Sequence, residues 1–306
     1  MAIDFVPDIN KFPHISDAHK EEKLIIFVGA GLSALWGCKR WKDMAATLVE
    51  TCYELNHIDY WTRENLLLKY SAYPRKLITI AQKILGEKYV GSLHSTLAIS
   101  SDRRSKMPKL FENLFALNAA FMTTNIDDHL SSLFDGNNVH VGLEKFTPEN
   151  IKPKNIFHLH GAVRTPSSLV MSIDEYVTRY RDEQMRKFLE YSFFENNFRL
   201  LFIGYGVDEM EIIDYMIEKY SKGPRNLKSL INRFYILLPF FQNEEPLLAY
   251  EQLYFQQINM NVVPYAIDSK GYDQLYEVIE IWKRELTAPP SGDDFYKLTG
   301  VIESNV

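Results

Sequence analysis

Six short stretches of the chain are apolar almost without interruption: Leu24–Val28, Ala119–Thr123, Asn155–Leu159, Leu200–Ile203, Phe234–Leu238 and Asn261–Pro264. Continuous apolar runs of this length, without alternation, are the pattern of parallel strands buried on both faces. Between them the hydrophobic positions recur at helical spacing. Trp41, Met44, Ala45, Leu48, Val49 and Cys52 predict a helix over Trp41–Asn56, and Leu77–Leu85, Met107–Leu117 and a segment from about Asp174 to Asn197 read the same way. Strand runs alternating with helical ones predict an α/β fold with a Rossmann-like, mostly parallel sheet. A βαβ unit needs only about 30 residues, so the long gap between the first two runs predicts a largely helical insertion at about 42–118. The expected divisions are an N-terminal extension over 1–23, a nucleotide-binding domain over 24–286 and a tail over 287–306.

Composition narrows the function classes. The 306 residues carry 34 Lys+Arg against 40 Asp+Glu, a formal charge of −6, which argues against binding nucleic acid through its phosphates. No apolar run approaches a membrane span, and Met1–Lys20 lacks the apolar stretch of a signal peptide, so no membrane is expected as a partner and the cytoplasm is the expected location. Cys38 and Cys52 are the only cysteines, too few for a four-thiolate zinc module or a disulfide framework.

Four motifs stand at the ends of strand runs. Gly29-Ala30-Gly31-Leu32-Ser33-Ala34 fits a glycine-rich turn that lets backbone amides approach a diphosphate, or serves only the turn itself. Thr123-Thr124-Asn125-Ile126-Asp127-Asp128 puts an amide and an acid where ligands of open sheets bind; Asp128 also reads as the cap of a following helix. His158-Leu159-His160-Gly161 offers an imidazole for proton transfer near neutral pH, with His158 read as a hydrogen-bonded core residue. Gly204-Tyr205-Gly206-Val207-Asp208 is a second glycine turn, with Asp208 expected to cap a helix over Met210–Tyr220.

The order of these motifs resembles the sirtuin family of NAD-binding proteins over about Leu24–Leu286, and within it the sirtuin-like domains of bacterial anti-phage defence proteins. Trp41, Leu159–Gly161, Leu169–Ser172 with Asp174–Tyr176, and Phe202–Gly206 carry that closer resemblance. The chain departs from protein-deacylating sirtuins in having no cysteine pairs after the His-Gly motif, and Gly37-Cys38-Lys39-Arg40-Trp41 where those enzymes have Pro-Asp-Phe-Arg. The resemblance implies an NAD+ glycohydrolase without a metal that releases nicotinamide and ADP-ribose. It implies catalytic roles for Asn125 and His160, and NAD+ contacts from Gly29, Ala30, Gly31, Ser33, Thr124, Asp127, Gly204, Tyr205 and Asp208. The alternatives are a zinc-free NAD-dependent deacylase or ADP-ribosyltransferase, and a non-catalytic module sensing NAD+ or ADP-ribose. An unrestrained NAD+ hydrolase would deplete its host, and the core occupies most of the chain. Control by a separately encoded sensor protein, and assembly into a homo- or hetero-oligomer, are therefore expected. An amide, an acid and an imidazole should surround one sugar carbon.

Overall fold

The computed structural model describes residues 3–99, 107–206 and 232–288. Seven parallel strands form one sheet: β1 (Leu24–Val28), β2 (Ala119–Thr123), β3 (Val139–His140), β4 (Ile156–His158), β5 (Arg199–Ile203), β6 (Phe234–Phe240) and β7 (Met260–Ala266), in the order β3-β4-β2-β1-β5-β6-β7. All six expected runs are strands; the seventh, β3, is two residues long and too short to leave a pattern. Eleven α-helices accompany them among the described residues. They are α1 (Pro13–Lys20), α2 (Ala30–Ala34), α3 (Trp41–Glu54), α4 (Tyr60–Tyr70), α5 (Pro74–Leu85), α6 (Tyr89–Leu97), α7 (Met107–Ala116), α8 (Ile173–Arg181), α9 (Glu183–Glu190), α10 (Glu245–Gln256) and α11 (Gln274–Thr287).

Side-chain alternation along β1 divides the core. Leu24, Ile26 and Val28 pack with Ile15 of α1, Leu110 and Leu114 of α7 and Val278 and Trp282 of α11. Ile25 and Phe27 pack on the opposite face with Phe188 of α9, Phe193 and Phe255 of α10. This is a Rossmann-like α/β fold, a parallel sheet between helical layers. The N-terminal extension is stitched into it: Ala266 N–H donates to Asp4 O (2.9 Å) and the Trp282 indole N–H to Pro7 O (2.7 Å).

The helical insertion is present and divides in two. Helices α3 to α6 form a lobe with its own core of Leu48, Val49, Cys52, Leu77, Ile78, Ala81 and Leu93, whereas α7 joins the layer against the sheet. Ile126, Val163, Leu169 and Met171 from the loops after β2 and β4 complete the lobe's core. The lobe is thus fastened to the carboxyl end of the sheet, the edge where ligands bind in open parallel sheets.

Two local expectations are corrected. The segment from Asp174 to Asn197 is two helices and a π-helical turn (Tyr191–Glu195), because the Asp182 side chain accepts from Gln184 N–H (2.8 Å) and Met185 N–H (3.1 Å) and starts a new helix. No α-helix begins at Asp128. Its carboxylate instead meets Arg164, at 3.3 Å from Nε and 3.2 Å from the backbone N–H, leaving only a short 3₁₀ turn over Ser131–Leu133. Met210–Tyr220 lies outside the described residues.

Candidate active site

Strands β2 and β4 lie to one side of β1 and β5 to the other, so the loops after all four strands meet at the carboxyl edge around β1. The two glycine turns pack backbone against backbone there. Gly29 N–H donates to Ile203 O (2.9 Å) and Gly31 N–H to Gly204 O (2.7 Å). A Cβ on Gly29 would stand 2.5 Å from Gly204 O, and one on Gly204, which has φ +63°, 2.4 Å from Leu32 N. These glycines serve the close approach of two loops, and the Gly29 and Gly31 amides are engaged within the protein.

The turn carries Ser33 to the loop after β2, where a directed hydrogen-bond chain forms. Asn125 Nδ2 donates to Gly29 O (3.0 Å) and to Ser33 Oγ (3.0 Å), and Ser33 Oγ donates to Asp127 Oδ2 (2.8 Å). Gly29 O can only accept, which fixes the orientation of the Asn125 amide. Asn125 Oδ1 is therefore the free end, a buried acceptor without a hydrogen-bond partner. Asp127 Oδ1 accepts from His129 N–H (3.2 Å), and Thr123 Oγ1 holds Asn125 N–H (2.9 Å) while donating to Val28 O (2.8 Å). Ile126, between the two polar residues, turns the other way into the helical lobe. Thr124 is buried at the start of this loop.

Asn125, Asp127, Ser33 and Ala30 line a cavity closed by Cys38, Lys39, Trp41, Met44, Leu97 and Ile126. Its free volume is about 20 Å³, room for one water and not for a nicotinamide ring. Burial, and then the charge of Asp127, push the Cys38 thiol up to about 12, so it stays protonated. Lys39 is the cation at this wall; its Nζ donates to Thr47 Oγ1 (2.7 Å).

His160 is buried on the far side of Trp41 from this cavity. Trp41, which walls the cavity, meets the His160 ring edge-on at 6.3 Å between centroids. Tyr176 and Tyr180 of α8 stand edge-on to the same ring at 6.2 and 5.8 Å. His160 Nε2 is 2.9 Å from Tyr180 Oη, and its Nδ1 is buried with no hydrogen-bond partner. The imidazole is fully buried, and burial first, then Arg75 and Arg179, push its pKa down to about 3. Burial raises Tyr180, so its hydroxyl keeps its proton. Gly161, with φ +75° and a virtual Cβ 2.2 Å from Ser168 O, turns the chain immediately after His160. His158 is a core residue, its Nδ1 3.0 Å from Asn125 O, and burial lowers its pKa.

Asn125 and Asp127 share one hydrogen-bond chain beside the cavity, but the expected three-way convergence is not seen: the His160 imidazole is sealed behind Trp41. Tyr205 is a core ring, edge-on to Phe27 at 5.5 Å. Asp208 lies outside the described residues. In the sequence Trp41 is marked by helical spacing and by the family resemblance, and nothing there singles out Lys39, Arg75, Tyr176, Arg179 or Tyr180 as site residues. The Tyr176/Tyr180 pair, spaced by one helical turn, was the available clue. Among the described residues no group of three or more His, Cys, Asp or Glu is placed to hold a metal ion, and no helix is long and apolar enough to cross a membrane.

Residues 119–262 match the family model described as a SIR2-like domain, so the chain is similar to that family over this stretch. The match spans Asn125, Asp127, His160 and Gly204 and begins after the first glycine turn. A search of curated proteins found no match.

Proposed function

We propose that this chain hydrolyses the nicotinamide–ribose bond of NAD+, as an NAD+-depleting effector in anti-phage defence held in check by a separate sensor protein. The observation that carries the chemistry is the buried, unpartnered Asn125 Oδ1 beside a water-sized cavity, at the end of a chain that anchors its amide through Ser33 and Asp127. That oxygen is placed to accept from a water or a ribose hydroxyl.

Nicotinamide in NAD+ carries a positive charge. When the C1′–N bond breaks, its electron pair neutralises that nitrogen, and the leaving group needs no proton. Water held by Asn125 forms the new C1′–O bond and loses one proton, which His160 accepts. The carboxylate of Asp127 supports the positive charge that develops on the sugar. For the imidazole to take part, Trp41 and the Gly37–Trp41 segment must swing aside and open the cavity to His160. Hydration of the opened site removes burial, the largest cause of the low His160 basicity.

Release of nicotinamide from NAD+ by the full chain, alone and with candidate sensor proteins, tests this. Asn125→Ala should lower the rate on the order of 10²-fold, the scale of removing one positioned polar group. Binding of NAD+ without nicotinamide release under any of these conditions would favour the sensing module.

A further inference from the structure

His160 has two ring nitrogens and one hydrogen bond. Counting donors decides its direction. If Nε2–H donated to Tyr180 Oη, the Tyr180 proton and the Nδ1 lone pair would both need other partners in a buried space. If the Tyr180 hydroxyl donates to Nε2, a single Nδ1–H is left over. Nδ1 is the atom found buried without a partner, and among the described residues no second hydrogen-bond partner of Tyr180 Oη is observed. Buried polar groups pair wherever they can, so the second arrangement is favoured. The neutral imidazole then has only one lone pair, at Nε2, and a tyrosine proton occupies it.

Resting on the NAD+ hydrolase reading, we infer that Tyr180 is an inhibitory latch: its hydroxyl fills the one acceptor nitrogen of His160 that proton transfer from water or ribose requires. The latch is seated by its helix. The Tyr180 ring lies tilted by 36° against Tyr176 at 4.5 Å between centroids, Arg75 of the lobe lies over Tyr176 at 4.1 Å, and Arg179 Nη2 donates to Ser168 O at 3.0 Å. Whatever draws α8 away from the lobe withdraws the hydroxyl and frees Nε2 in the same motion. Resting-state silence is thereby built into the contact between α5, α8 and the His-Gly turn.

Two measurements on the full chain test this. Nitrogen NMR of ¹⁵N-histidine-labelled protein at neutral pH, with the His160 signal assigned by His160→Gln, should find the proton on Nδ1 and an accepting Nε2. A proton on Nε2 overturns the latch, whether or not the chain cleaves NAD+. Tyr180→Phe keeps the ring and removes the proton; it should raise basal nicotinamide release about 2- to 10-fold, the scale of one net hydrogen bond. Where wild type releases nicotinamide measurably, an unchanged or lower rate in a variant that melts with wild-type cooperativity also overturns it. Failure of both wild type and Tyr180→Phe to release nicotinamide, alone and with candidate sensor proteins, with the proton found on Nδ1, defeats the hydrolase reading and leaves the hydrogen-bond assignment standing.

Discussion

His160 carries a stability cost that its hydrogen bond alone does not reveal. An imidazole held well below its ordinary value in the folded state binds fewer protons than the unfolded chain does in acid. Folding stability contributed by this group is therefore complete above about pH 6.5 and is lost as pH falls toward 3. His19, His140 and His158, all lowered by burial, act in the same direction. Thermal or urea unfolding between pH 7 and pH 4 should show stability declining with acid. His160→Gln should make that decline shallower, by at most about 1.4 kcal/mol per pH unit, the limit for one proton. Equal slopes in the two proteins would place a charged, hydrated imidazole at this position. The sequence pointed to His160 through its place after a strand, but nothing in a linear pattern encodes the two guanidiniums that approach from α5 and α8, 85 residues before and 19 after it.

At the scale of elements, α8 is held at its start more firmly than at its faces. Ser172 and Glu175 form a reciprocal cap, with Glu175 Oε2 accepting from the Ser172 and Met171 N–H groups at 2.8 Å each. The other oxygen, Oε1, accepts from Gln82 Nε2 of α5 at 2.9 Å, and Ile173 N–H donates to Thr79 Oγ1 at 3.1 Å. One carboxylate thus ties the helix bearing Tyr180 to the helical lobe. Glu175→Ala removes the cap and leaves two amide donors short of partners, a loss of roughly 1–3 kcal/mol. Urea unfolding should report it as a lower midpoint with an unchanged slope. Strand positions and the lobe's existence were legible in the sequence for a physical reason, and the sheet order was not. Buried parallel strands write themselves as unbroken apolar runs, and a heptad-like spacing marks α3. The break at Asp182 and the missing helix at Asp128 turn on where one carboxylate finds its partner, which spacing does not record. Of the site, Ser33, Asn125 and Asp127 were readable because they follow strand ends. Trp41 as a wall and Tyr180 as a partner were not, since each meets His160 across the junction of lobe and sheet.

The molecule as a whole is a sheet with a helical lobe closed over its ligand edge, and the closure lies where chemistry is expected. Ile126 pins the Asn125–Asp127 loop into the lobe's core while the flanking polar residues face the glycine turn, so the lobe and the site loop cannot move independently. A cavity of about 20 Å³ holds no nicotinamide ring, so on the hydrolase reading the ring reaches Asn125 only if the Lys39–Trp41 wall moves. A ligand populates the opened arrangement only by binding it better than the closed one, and it takes a few kcal/mol of differential affinity to do so. ADP-ribose, the proposed product, is a suitable probe because it persists during the measurement. Hydrogen exchange on the full chain, with binding verified by calorimetry, should slow across residues 29–41, where the glycine turn and the Lys39–Trp41 wall would engage the ligand. The same experiment should quicken exchange in α8 as its contacts with α5 loosen, and leave β6 and β7, remote from the crevice, unchanged. Bound ligand with no change in either 29–41 or α8 would mean that the nucleotide site lies elsewhere on the molecule.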